Sequence, residues 1–344
     1  MLIGHQNIVD YLKKSVEKNA VSHAYLFSGP KSVGKSAVAL EFAKTLLCPA
    51  SRDLAKRDKK IVENCHWFCG ECESCQAASN NSHPDMLIVK PDEGGVIAVS
   101  KIRDLRAKLN LSPYLGVYQA AIIEEAEKMN KEAANTLLKT LEEPRGDKII
   151  ILISSEPKSV LPTILSRVYN LKFNLVPADL IEKEIENAAA KSNLAASGIG
   201  RLSAEKKKEI ARLCDGRPGL ALAYFFDEEK SRNRQKRLEE FLKLISADNN
   251  ERLRYAEILA KGGENIEEIL GYWTDFFRDL MFFHLNFPEK IKSAVFQKEL
   301  AVLSQKYPVE KAARLMRLIS DVDFMVCRTN TSPQLALEVL VLAL

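Results

Sequence analysis

A glycine-rich loop between two apolar segments constrains this sequence more than any other feature. Residues 24–28, AYLFS, are apolar and of strand length, and GPKSVGKS follows at residues 29–36. Beyond the loop, four apolar residues recur at helical spacing: Ala39, Phe42, Ala43 and Leu46. Strand, glycine loop and helix in this order are the context that a phosphate-binding P-loop requires. The sequence therefore predicts a nucleotide-binding α/β domain.

The candidate nucleotide site is the loop itself. Its backbone N–H groups and those at the start of the helix are available to phosphate oxygens. Lys35 would place a positive charge on the β- and γ-phosphates, and Ser36 would ligate Mg²⁺. We therefore predict ATP or ADP with Mg²⁺ as the cofactor. The predicted binding residues are Gly29, Pro30, Lys31, Ser32, Val33, Gly34, Lys35 and Ser36.

An acidic pair follows a second predicted strand, residues 120–123. One carboxylate of Glu124 and Glu125 would hold Mg²⁺, directly or through water, and the other would orient or deprotonate the attacking water. The residue usual at the first position is aspartate, and Glu124 is one methylene longer. The alternative is a solvated helix start, where acidic residues are favoured by the helix dipole.

Further strands are predicted at residues 86–89, 149–153 and 169–173. Ser154 and Ser155 lie at the tip of the second of these. Helical patterns separate the strands, and such alternation predicts a parallel, doubly wound sheet.

A cluster of cysteines interrupts this α/β pattern. Cys69, Cys72 and Cys75 follow one another at zinc-ligand spacing, and a closed tetrahedral site needs a fourth ligand. Cys48 and Cys65 both compete for that place, and His66 and His83 are weaker candidates. The alternative is a set of free or redox-active thiols. A site with no open position would be structural, because it cannot bind a substrate.

Charge and hydropathy exclude several classes of protein. Among 344 residues, Lys plus Arg number 50 and Asp plus Glu 46, and a net charge of +4 does not by itself imply nucleic-acid binding. The first residues, MLIGHQNIVDYLKKS, carry charges where a signal peptide needs an apolar core. No apolar run is long enough for a bilayer. We expect a cytoplasmic protein with no membrane partner, in which cysteines hold metal or are reactive.

The motif order resembles the delta-prime subunits of the bacterial DNA polymerase III clamp loader, which are members of the AAA+ family. The resemblance rests on the P-loop, AANTLLKTLEEP at residues 133–144 and LISSEPKSVLPTILSRV at residues 152–168. The cysteine cluster also lies between the P-loop helix and the next strand, as in that family. In the family's motor subunit an arginine senses the γ-phosphate, and here the matching position is Gly219, with Arg217 on a different turn.

The resemblance implies an α/β fold of three parts. An AAA+ P-loop domain with a parallel sheet spans residues 1–176 and contains a zinc module at about residues 48–75. A helical lid follows at 177–228, and an all-α collar for oligomerisation at 229–344. The family pattern also implies structural Zn²⁺ on Cys48, Cys69, Cys72 and Cys75, with Cys48 favoured over Cys65.

The resemblance further implies a clamp-loader subunit within a hetero-oligomer. Its partners would be the motor and delta subunits, the sliding clamp and, through the assembly, primer–template DNA. Arg167 would act in trans as an arginine finger, with an intramolecular salt bridge as its alternative role, and Ser155 would occupy the sensor position. Such a component of the polymerase III holoenzyme has no polymerase activity of its own, and we expect nucleotide binding with weak or absent ATPase activity.

Two other functions stay open from the sequence. One is an ATP-hydrolysing motor subunit of the same complex, against which Gly219 and Glu124 both count. The other is a stand-alone zinc-dependent nucleic-acid-binding protein, which predicts tight and strongly salt-dependent DNA binding by the monomer.

Overall fold

The chain forms two compact units. A computed structural model describes residues 2–52, 68–92, 95–143, 146–191, 204–263, 265–329 and 331–344. The first unit comprises residues 1–184 and 216–220, and the second comprises residues 185–215 and 221–344. The three-domain division at residues 176 and 228 stays a prediction.

A five-stranded parallel sheet organises the first unit. Its strands are β1 (Ala24–Ser28), β2 (Met86–Val89), β3 (Gln119–Ile123), β4 (Lys148–Ser154) and β5 (Tyr169–Lys172). They are ordered β2-β3-β4-β1-β5, and every neighbouring pair is parallel. The register places Ser28 of β1 beside Ser154 of β4. This arrangement confirms the predicted α/β fold with a parallel sheet.

Helices cover both faces of this sheet. The helices of the first part of the chain are α1 (Gln6–Glu17), α2 (Lys35–Leu47), α3 (Pro49–Arg52), α4 (Glu73–Ser79), α5 (Val99–Leu109), α6 (Lys131–Glu142) and α7 (Pro162–Leu165). Tyr25 and Phe27 pack on the side of α1 and α2, whereas Ala24 and Leu26 pack on the side of α5 and α6. Side chains alternate between the faces of a strand, and both faces of β1 are buried, so its first four residues are hydrophobic.

The rest of the described chain is helical. Its helices are α8 (Ala178–Lys191), α9 (Ala204–Leu213), α10 (Pro218–Phe226), α11 (Glu228–Ser246), α12 (Asn249–Lys261), α13 (Ile266–His284), α14 (Gln297–Lys306), α15 (Val309–Arg328) and α16 (Pro333–Ala343). In the described part of the chain, no helix has the length and apolar character needed to cross a membrane.

Aromatic side chains form the centre of the second unit. Trp273, Phe276 and Phe277 of α13 are fully buried. Phe241 of α11 stacks on Trp273 with ring centroids 4.6 Å apart. The end of α16 belongs to the same core, since the hydroxyl of Tyr307 donates a hydrogen bond to the carbonyl of Leu344 at 2.6 Å. Burial of large aromatic side chains supplies most of the stabilisation in such a core.

Candidate functional site

The P-loop joins β1 to α2 and needs glycine at both ends. Gly29 has φ +145°, and a Cβ there would lie 2.2 Å from the backbone oxygen of Phe173. Gly34 has φ +104° and caps α2. Both residues adopt conformations that L side chains rarely reach, and at Gly29 another backbone also fills the space of a side chain.

Neighbouring groups hold the carbonyls of this loop. Lys35 Nζ donates to the oxygens of Gly29 and Pro30, at 2.6 and 2.5 Å. The backbone N–H of Gly219 donates to the Ser32 oxygen at 2.8 Å. His5 Nε2 lies 2.9 Å from the Val33 oxygen and must be the donor, because a carbonyl only accepts.

The fixed carbonyls determine where the loop amides point. In each peptide unit the N–H is directed opposite to the C=O, so the N–H groups of Val33 and Gly34 are directed away from Gly219 and His5. Lys35 uses two of its three ammonium donors on the loop and keeps one for a ligand. Backbone amides and a lysine converging at a helix N-terminus can bind phosphate.

Lys35 and Glu127 are two buried charges of this site. Burial lowers the pKa of Lys35 to about 8, and the negative charge of Glu127 opposes that change. Burial raises the pKa of the Glu127 carboxyl, but the combined hydrogen bonding of Ser155, Ser154 and the backbone of Glu127 itself leaves that pKa below its ordinary value. Glu127 is therefore a carboxylate at neutral pH.

The acidic residues are arranged differently from the sequence prediction. Ser155 donates from its N–H and its hydroxyl to Glu127 Oε1, at 3.1 and 2.6 Å. Glu124 instead pairs with Lys90, and Glu125 with Lys128. Ser155, predicted at the sensor position, is thus bonded to an acid that was not among the predicted site residues. The available signal was a third glutamate in EEAE, two residues after the predicted pair.

Arg167 forms a local ion pair in the isolated chain. Its guanidinium lies 2.9 Å from Glu142 Oε1 and donates to the Thr163 oxygen at 2.9 Å and to the Ser166 hydroxyl at 3.1 Å. The Arg167 and Glu142 side chains are 37% and 48% exposed, and ion pairs so exposed contribute little to stability. The salt bridge considered as an alternative is therefore present, and it leaves the guanidinium accessible.

The four cysteines chosen from the sequence lie together. Cys48 ends α2 and Cys72 caps α4, while Cys69 precedes that helix and Cys75 lies in its first turn. All four Sγ atoms lie within 4.8 Å of one another and can hold a metal ion. Two backbone N–H groups, of Cys72 and Cys75, donate to cluster sulfurs at 3.4 Å.

Three other residues were candidates for the fourth zinc ligand. Cys65 and His66 lie outside the described residues. His83 is described, but its Nδ1 accepts the N–H of Asp85 at 3.0 Å and it is not one of the clustered ligands. Four cysteine thiolates are one of the ligand sets found in structural tetrahedral zinc sites.

The fold and the loop define the chain as an α/β protein with a P-loop. A model of the family described as "DNA polymerase III, delta subunit" matches residues 4–177. That range is more than half of the sequence, and the chain belongs to this family.

Curated relatives agree with this assignment. The chain is 41% identical over 149 residues to DNA polymerase III subunit delta' of Pseudomonas aeruginosa, covering 42% of this chain and 41% of the relative. It is 34% identical over 178 residues to subunit delta' of Bacillus subtilis, covering 52% and 50%. It is also 34% identical over 180 residues to subunit tau of Bacillus subtilis, covering 52% and 30%. The chain therefore spans half the length or less of these relatives.

A substitution at Gly219 tests the contact between α10 and the P-loop. A Cβ at this position would lie 2.9 Å from the Ser32 oxygen, so Gly219→Ala must displace the loop or the helix. We expect a loss of about 1–3 kcal/mol in the free energy of unfolding, as for other overpacked contacts. Urea denaturation measures the change.

Gly271 provides the matched control, because it lies within α13 and a Cβ there would meet nothing within 4 Å. Gly271→Ala should stabilise the chain by about 0.5–1 kcal/mol, since alanine favours a helix more than glycine does. Equal changes in the free energy of unfolding for the two substitutions would mean that the close contact of Gly219 with Ser32 does not affect stability.

Proposed function

We propose that this chain acts as a delta-prime-like subunit of the DNA polymerase III clamp loader. The proposal depends most on Gly219, which the family resemblance matches to the motor's γ-phosphate-sensing arginine and whose backbone N–H donates to the Ser32 oxygen. A glycine offers no charge to a phosphate. The family assignment supports the same function.

The partners follow from this role. The chain would assemble with the motor and delta subunits, help to open the sliding clamp and act on primer–template DNA through the assembly, in the cytoplasm. It would have no polymerase activity of its own.

The P-loop would bind ATP or ADP with Mg²⁺ and hydrolyse it weakly. The residues present fit such a ligand, since the Lys35 ammonium keeps one donor and the buried Glu127 Oε2 has no hydrogen-bond partner in the described structure. The loop amides and Lys35 would hold the phosphates, and Ser36 would contact Mg²⁺. Bound Mg²⁺ would neutralise phosphate charge.

A second candidate function is the ATP-hydrolysing motor subunit. The similarity to the Bacillus subtilis tau subunit favours it, at the same 34% identity as to the delta' subunit of that organism. Steady-state ATPase assays of the isolated chain and of Lys35→Ala would separate the two functions. The third hypothesis, a stand-alone nucleic-acid-binding protein, gains no support from the family assignment.

The four-cysteine cluster would hold one structural Zn²⁺. Support comes from the closed set of four thiol ligands, which leaves no position for a substrate. Metal would replace part of the apolar core in this short segment, because Cys48 and Cys75 are buried in the cluster that covers one face of the sheet.

Co-expression tests the proposed function directly. The chain should co-purify with a motor subunit and a delta subunit as one complex that loads clamps onto primed DNA. A complex that assembles and loads clamps equally well without this chain would contradict the proposal.

Cysteine substitutions test the metal assignment. We expect about one zinc per chain in the wild type, and its loss in Cys72→Ser, because a tetrahedral site with three thiolates binds zinc more weakly. Cys65→Ser is the matched control and should retain the metal. Inductively coupled plasma mass spectrometry measures the content, and retention in Cys48→Ser with loss in Cys65→Ser would reverse the assignment of the fourth ligand.

Arg167→Ala tests the arginine finger. A guanidinium fits phosphate oxygens through two parallel hydrogen bonds and stabilises charge that develops in the transition state, an effect of about 10³–10⁵ in related phosphoryl transfers. We expect lower ATPase at the neighbouring site with folding and assembly intact. Activity of the complex should fall only in part, because the other sites keep their own arginines, and Arg167→Lys should not restore it.

Glu142→Gln is the control, since it breaks the ion pair but keeps the guanidinium. The assay is ATPase of the reconstituted loader with clamp and DNA, with assembly checked by size-exclusion chromatography. Unchanged ATPase activity in an assembled Arg167→Ala complex would contradict the arginine-finger role and leave Arg167 only its salt bridge with Glu142.

A further inference from the structure

The two acids that follow β3 are both engaged by surface lysines. Lys90 Nζ lies 3.3 Å from Glu124 Oε2, and Lys128 Nζ lies 2.7 Å from Glu125 Oε2. Glu125 also has φ +50°, a left-handed conformation that turns the chain at the end of the strand. Its side chain is 42% exposed. Neither carboxylate is therefore reserved for a buried ligand.

Glu127, the third acid of the motif, is hydrogen-bonded to the residue that follows β4. Its carboxylate receives both donors of Ser155, the residue directly after β4. The preceding residue, Ser154, accepts the N–H of Gly29 through its carbonyl at 3.2 Å. Two consecutive residues at the end of β4 thus bind the first glycine of the P-loop and Glu127. Ligands of open α/β sheets bind at this carboxyl end of the strands.

The second oxygen of Glu127 is buried without a partner. Only 9% of the residue is exposed, and Oε2 has no hydrogen bond among the residues that the structure describes. Leaving a charged oxygen in this state is costly, so a cation or a donor is expected to satisfy it. Lys35, whose charge acts on Glu127, donates to two loop carbonyls and makes no hydrogen bond to this oxygen.

A divalent cation would provide the partner that Glu127 Oε2 lacks. Carboxylate and hydroxyl oxygens are the ligands that Mg²⁺ prefers, and Mg²⁺ commonly binds through one or two carboxylates plus phosphate while keeping several waters. We infer that Glu127, rather than Glu124 or Glu125, is the carboxylate that holds the divalent cation of the P-loop site, directly or through a water. This inference rests on the nucleotide binding proposed above.

The experiment compares ADP binding by the full chain in Mg²⁺ and in EDTA, by isothermal titration calorimetry. ADP is used because it is not hydrolysed. Glu127→Gln should reduce the gain in affinity that Mg²⁺ provides by about 10- to 100-fold, and should change the affinity in EDTA little. Glutamine keeps an oxygen that accepts from Ser155, so the fold around the site is preserved.

Glu124→Gln and Glu125→Gln are matched controls, because each removes one charge from the same motif. Both variants should keep the full gain in ADP affinity that Mg²⁺ provides. Electron paramagnetic resonance of Mn²⁺ with ADP gives a second measurement, in which Glu127→Gln should lose bound Mn²⁺ and the controls should not. Ser155→Ala, which removes one bond that orients Glu127, should show a smaller loss of the same kind.

Either of two results would overturn the inference. One is a loss of the Mg²⁺ gain in Glu124→Gln or Glu125→Gln with the gain kept in Glu127→Gln. The other is a wild-type affinity for ADP that does not depend on Mg²⁺, or no binding at all. Co-purification with the motor and delta subunits does not depend on this oxygen, so the clamp-loader proposal and the metal inference fail separately.

Discussion

The burial of β1 on both faces is the constraint on which the P-loop depends. This strand pairs with β4 on one edge and β5 on the other, and the loop that follows it begins at Gly29, where a side chain has no room. At Gly29 the backbone of Phe173 takes the place of a Cβ. Close backbone packing fixes the loop before any ligand arrives, and preorganisation of this kind lowers the entropic cost of binding.

Local patterns predicted much of the fold. Strand positions, the P-loop and the Cys69, Cys72 and Cys75 spacing are readable because each depends on residues near in sequence. Cys48 joined that set through the family pattern, and the structure brings its sulfur to the others across a gap of 21 residues to Cys69. Boundaries between domains were harder, because they depend on which helices pack together in space.

Contacts between distant segments were not predictable from motifs. The bonds from His5 and Gly219 to the P-loop join residues that are far apart in the chain, and no spacing rule describes them. The bond between Glu127 and Ser155 is of the same kind, since the two residues lie 28 positions apart in the chain. Counting forward from a strand identifies acidic residues, but the direction of each side chain is set by turns such as the left-handed one at Glu125.

Helix α2 has a different chemistry at each end. It begins at Lys35 in the phosphate loop and ends at Cys48 in the thiol cluster, so 13 residues form a rod about 20 Å long between them. One helix therefore joins the P-loop to the thiol cluster. If the cluster holds zinc as proposed, loss of the metal would free the far end of the helix whose first turn closes the P-loop.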